Sequence, residues 1–97
     1  MLAISTEKKK EQSFKVNLNG QHCMISLSQK DTGLYLSLHV DEKPVVLNVL
    51  CLNTVKLIRY KYLGFLGDLF FYDTQGDDKP SYDGLNDRFL LYYKEEE

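Results

Sequence analysis

Residues able to do chemistry concentrate between positions 67 and 88, where Asp68, Asp73, Asp77, Asp78, Asp83 and Asp87 precede a lone Arg88. Calcium is the first candidate ligand for such a run. An EF-hand loop needs oxygen ligands at about positions 1, 3 and 5, glycine at 6 and glutamate at 12. Asp73, Gln75, Asp77, Asp78 and Asp83 do not follow that order, and the loop contains no glutamate. An irregular calcium site on Asp73, Asp77 and Asp78 is the sharper alternative. The plainer reading is that these aspartates close turns by accepting hydrogen bonds from backbone amides. Asp68 and Asp73 also suggest an acid/base pair, yet no nucleophile, phosphate-cradling loop or converging histidine accompanies them. Arg88 is instead expected to be the counter-ion of the loop's aspartates, bidentate and able to pin the segment. Cys51 with His39 is the other conceivable catalytic pair, but both fall inside apolar, strand-like runs with no oxyanion donor beside them. No cofactor or metal and no catalytic residue is expected.

A second group, Lys56, Arg59, Tyr60, Lys61 and Tyr62, interleaves cations with aromatic rings. That composition suits stacking on single-stranded nucleic acid or an oligosaccharide, the function of many small β-barrels, and it defines the alternative reading. A net charge of −2 argues against non-specific nucleic-acid binding, which needs a basic face, so a solvated strand face is preferred. Cys23 and Cys51 are expected to be buried, reduced thiols, with a disulfide as the alternative. With His22 and His39 they lack the paired spacing of a zinc site. Residues 7–11 are charged where the apolar part of a signal peptide would stand, and no apolar run approaches the roughly 18 residues of a membrane span. Neither signal peptide nor membrane segment is expected.

The elements that would position these residues are strands. Phe14, Val16 and Leu18 alternate with polar residues, Asn19-Gly20 follows, and Cys23, Ile25 and Leu27 alternate again. Asn-Gly favours a two-residue type I′ turn, which sets Val16 opposite Cys23 and Phe14 opposite Ile25 on one face. After a turn at residues 30–33, Leu34, Leu36, Leu38 and Val40 form the inner side of a third strand, with Tyr35, Ser37 and His39 outward. Residues 41–44 turn the chain again. Residues 45–52 are apolar at nearly every position, as in a central strand covered on both sides or one that curls around a barrel, and burial on two sides needs a closed barrel or a partner. Residues 53–62 favour another strand with an irregular end. Gly64 and Gly67 predict a bend, and residues 68–72 and 88–93 form two aromatic strands joined by a loop of roughly 14 residues, longer than hairpins use.

The expected fold is all-β: a small antiparallel β-barrel, or a barrel-like sandwich, of six or seven strands. Residues 1–12 are expected to be a flexible charged leader, 13–94 a single β domain and 95–97 an acidic tail. Seven tyrosines are too many for one small core, so some are expected at interfaces, and self-association is left open.

Two blocks, YLGFLGDLFFYDTQGDD over residues 62–78 and YDGLNDRFLLYY over residues 82–93, closely resemble the baseplate plug family of contractile-tailed bacteriophages and prophages. Gly33-Leu34-Tyr35-Leu36 and Cys51-Leu52-Asn53 look like earlier landmarks of that family, so the resemblance spans about residues 13–93. It implies a small, non-enzymatic virion structural protein, made in the bacterial host cytoplasm and packed into the central hub of the tail baseplate. The implied partners are hub, tail-tube and spike proteins. Gly67, Asp68, Asp73, Thr74, Gln75, Gly76, Asp77, Asp78, Tyr82, Gly84, Leu85, Asp87 and Arg88 carry the resemblance as interface or loop-shaping residues. Asn86 stands where a glycine is expected, which asparagine tolerates because it also visits positive φ. Lys79-Pro80-Ser81 is less acidic than the usual pattern.

Overall fold

The computed structural model describes residues 2–58 and 65–95. These residues hold seven strands: β1 (Leu2–Ile4), β2 (Glu11–Leu18), β3 (Gln21–Lys30), β4 (Gly33–Val40), β5 (Lys43–Leu50), β6 (Asp68–Asp73) and β7 (Phe89–Lys94). One 3-10 turn, Tyr82–Gly84, lies between β6 and β7. The strands form two antiparallel sheets, β2-β3-β4-β5 and β1-β7-β6. Their inward residues share one core, including Ile25, Leu36 and Leu38 from the larger sheet and Leu69, Phe71, Leu91 and Tyr93 from the smaller. The fold is therefore all-β, in the barrel-like sandwich form of the expectation. Among the described residues no helix is long and apolar enough to cross a membrane.

Local chemistry explains the larger sheet. Val16 pairs with Cys23 and Phe14 with Ile25, the predicted register, around Asn19 (φ 54°) and Gly20 (φ 80°). Asn17 Oδ1 accepts from the Gly20 amide at 3.0 Å and reinforces the turn. β3 and β4 meet in register from Cys23↔Val40 to Lys30↔Gly33, which leaves Asp31-Thr32 in the turn. β4 and β5 are joined by Asp41 (φ 51°) and Glu42 (φ 68°), a two-residue turn made without glycine. Cys23 and Cys51 are buried free thiols.

Three expectations are corrected. Residues 1–12 are not simply a leader: β1 pairs with β7, Ile4 and Thr6 are buried, and β2 begins at Glu11. The partner of β1 lies some 90 residues away, so no local pattern announces a three-residue strand. β5 is an edge strand, with Leu47 58% exposed, not a central one covered on both sides. Apolarity marked a strand that wants cover, and the fold supplies cover on one side only. Residues 53–58 do not form the expected strand. Thr54 takes φ 62°, Asn53 makes a single parallel bridge to Phe71, and Leu57 N–H donates to Leu69 O at 2.9 Å. The rest of that expected strand, and the Gly64 part of the bend, lie outside the described residues. Gly67 does bend the chain, at φ 98°.

Candidate functional site

The 73–88 segment leaves the end of β6, passes over one end of the sandwich and returns into β7, with Asp73 as its anchor. This side chain is fully buried. Its Oδ1 accepts from the Gln75 amide at 2.9 Å and from Arg88 Nε at 2.7 Å; its Oδ2 accepts from the Asp78 amide at 2.9 Å and from an Arg88 Nη2 at 2.8 Å. The bidentate pairing read from the sequence is therefore present. Arg88 Nη2 also donates to Asp78 Oδ2 at 2.8 Å, so one guanidinium ties two carboxylates across the loop. The hydrogen bonds from Arg88 hold the Asp73 carboxyl well below the ordinary range, with the amides of Asp78 and Gln75 helping and burial opposing. The same pair raises the Arg88 guanidinium above its already high value.

Around this anchor the other expected residues shape the loop. The Thr74 amide and Oγ1 both donate to Arg88 O, at 2.9 and 2.8 Å. Gly76 lies exposed above Arg88, and Gln75 lines the adjoining cleft. Asp77 Oδ1 accepts from Asn53 Nδ2 at 2.6 Å. The Tyr82 amide donates to Gln29 Oε1 at 3.0 Å, and Lys10 Nζ stands 5.7 Å from the Tyr82 ring centroid. Leu85 is fully buried, and Asp87 pairs with Lys8 at 3.1 Å. A Cβ on Gly84 would lie 2.6 Å from the Phe89 ring, which explains the glycine by close approach. Asn86 sits at φ 60°, the positive-φ geometry expected of a residue standing in for glycine.

Two expected residues lie apart, at the far end of β6. A Cβ on Gly67 would meet the Tyr93 ring at 2.7 Å and the backbone of Lys94. Asp68 is buried, and its Oδ1 accepts from the amides of Ile58 at 2.9 Å and Leu69 at 2.7 Å. Asp68 thus holds the incoming chain against β6, while Asp73 organises the outgoing loop. They are two separate anchors.

Several contributors carried no legible role in the sequence. Asn53 Oδ1 accepts from the Asp73 amide at 2.9 Å while its amide group holds Asp77. Gln29 reaches the loop from β3, and Lys79 Nζ donates to Thr32 O at 3.2 Å beside the β3–β4 turn. The loop thereby links both sheets. Asn53 was visible only as one letter of a family landmark, and Gln29 gave no signal at all.

This arrangement is unsuited to the chemistries considered above. The guanidinium of Arg88 occupies the space between Asp73 and Asp78 that a cation would need, and among the described residues no cluster of three or more candidate ligands suits a metal. Burial pushes the Cys51 thiol up to about 12, the reverse of what a nucleophile needs. Asp73 is held as an anion, saturated by donors, and so offers no proton. A cleft of about 580 Å3 separates the loop from the β3–β4 turn. A larger groove, about 630 Å3, lies elsewhere, on the outer face of the four-stranded sheet beside Lys15, His22, Met24 and His39. Of the alternative nucleic-acid or oligosaccharide group, only Lys56 falls within the described residues, where it is exposed and engaged in a contact; Arg59, Tyr60, Lys61 and Tyr62 lie outside them.

Over residues 1–96 the sequence matches the family model for the cyanophage baseplate Pam3 plug gp18. The chain belongs to this family. No curated protein matches it. Membership in the baseplate plug family makes the chain a structural component of a phage tail baseplate, in contact with other baseplate proteins.

Proposed function

We propose that this chain is a non-enzymatic plug that packs into the central hub of a contractile-tail baseplate, where tail tube and spike complex meet. The 73–88 loop serves as its rigid fitting. The observation that carries this reading is the buried Asp73, whose four accepted hydrogen bonds fix the loop's backbone from within. They leave Asp77, Asp78, Asp83 and Asp87 displayed outward. An acidic, pre-shaped fitting gives up little conformational freedom on docking, so modest contacts suffice to hold it. The tail-tube, hub and spike proteins are the proposed neighbours, with synthesis in the bacterial cytoplasm before assembly.

Cryo-electron microscopy of tails purified from the phage or prophage that encodes the chain tests this reading. The expected result is density for the chain on the tail axis, with the 73–88 loop against the hub. Tails that lack the chain, or hold it only on the outer sheath, overturn it.

A further inference from the structure

The two sheets present unlike outer faces. On the four-stranded sheet the outward residues of β2, β3 and β4 are mostly polar, Ser13, Lys15, His22, Ser26 and Ser37 among them, with Met24 and Tyr35 as exceptions. On the three-stranded sheet the outward rows nearest the acidic loop are Ala3–Tyr92–Phe70 and Leu90–Tyr72, with no charge among them, and the charged pair Asp68–Lys94 ends the face on the far side. Phe70 and Tyr92 stack at 5.7 Å and 28°, and Tyr72 is 47% exposed. Between their charged ends, over residues 69–72 and 89–93, β6 and β7 are therefore apolar on both sides, as strands are when both faces are covered. The core covers one face of them here. Of these residues Tyr72 is exposed, while Phe70, Leu90 and Tyr92 are half-buried, so the face is open in part.

Size and charge select the occupant. Rows about 6.8 Å apart on strands about 4.8 Å apart give this face an area on the order of 200 Å2, against about 800 Å2 per partner in a stable interface. A second copy meeting this face alone would be held too weakly, so the occupant extends beyond it. At one end the face runs directly into the acidic loop, which leaves Tyr72 through Asp73 and returns through Arg88 to Leu90. Asp77, tied to Asn53 at the edge of β6, has no ion pair among the described residues, and the Asp78 side chain is 73% exposed.

We propose that Phe70, Tyr72, Leu90 and Tyr92, together with the acidic loop at their end, form one docking surface for another baseplate protein. That protein presents an apolar strand or loop flanked by lysine or arginine. The inference rests on the baseplate reading above and names the chemistry of the partner.

The test uses tails purified from hosts expressing wild-type chain or a variant. Tyrosine nitration by tetranitromethane should be at least tenfold slower at Tyr72 and Tyr92 in assembled tails than in the free chain. Incorporation of Tyr72→Asp and of Asp77→Lys should each fall at least tenfold, with circular dichroism and melting midpoint of the free variants near wild type. Should either variant misfold, the nitration pattern of the wild-type chain still decides the matter. Wild-type chain absent from the tails overturns the baseplate reading itself. Chain present with Tyr72 and Tyr92 fully reactive, or with both variants incorporated normally, overturns only this inference. Normal incorporation of Asp77→Lys with loss of Tyr72→Asp overturns the basic character of the partner. A stable dimer of the free chain at micromolar concentration, abolished by Tyr72→Asp, assigns the face to a second copy and overturns the proposal as well.

Discussion

Asp73 and Arg88 show why a loop rich in carboxylates need not be a cation site. A buried anion must be compensated, and a bidentate guanidinium plus two backbone amides compensate this one without an ion from solution. The pH dependence follows from the depressed carboxyl. Asp73 takes up a proton more readily in the unfolded chain, near the ordinary 3.8, than in the fold. Its contribution to stability is thus complete above that value and declines as pH falls below it toward the folded-state pKa. Asp73→Asn should lower the thermal midpoint by about 5 °C or more at pH 7. The gap from wild type should narrow as the pH drops from about 4 to 2 in urea or thermal melts, and a constant gap would contradict this account. The two thiols behave oppositely. Burial raises both Cys23 and Cys51, so neither should react with Ellman's reagent at pH 8 until denaturant is added, when both should react.

Individual turns and strands carry their own strain and satisfaction. The β4–β5 turn places Glu42 at φ 68°, a region costing a residue with a Cβ roughly 1 kcal/mol. Glu42→Gly should therefore stabilise the protein by about 0.5–1 kcal/mol in denaturant melts, a gain partly offset by the greater freedom of glycine when unfolded. The β2–β3 turn already uses Asn-Gly and has no such reserve. β5 illustrates a different limit of local reasoning. Its apolar sequence described a strand needing cover on both sides, yet it lies at an edge with Leu47 in solvent. Asn48, at φ 51° and with its amide donating to Ser37 Oγ at 2.9 Å, kinks that edge. Such a kink blunts the edge against adding another strand.

Across the whole molecule the 73–88 loop is part of the core it appears only to decorate. Leu85 is fully buried and Pro80 is buried, while Gln29 of β3 and Thr32 of the β3–β4 turn accept hydrogen bonds from the loop. Leu85→Ala should accordingly cost about 2–5 kcal/mol in urea unfolding, as a core truncation does. Asp83→Ala, at an exposed position, should stay within about 0.5 kcal/mol of wild type. Equal and small effects would mean that the loop is not packed. A loop stabilised through the global core shares its rigidity.

Alternation and turn chemistry are local, and they made much of the larger sheet legible: the Asn19-Gly20 hairpin, its register, the β3–β4 turn and the inward face of β4. The charge match between Arg88 and the loop's aspartates was also readable, because a single arginine able to bind bidentately stood among many anions. Pairings between distant segments were not. β1 against β7, Asn53 under Asp73 and Gln29 beneath Tyr82 depend on which segments the folded core brings together. That choice is made by burying the apolar surface of the chain as a whole, and no short window of residues encodes it.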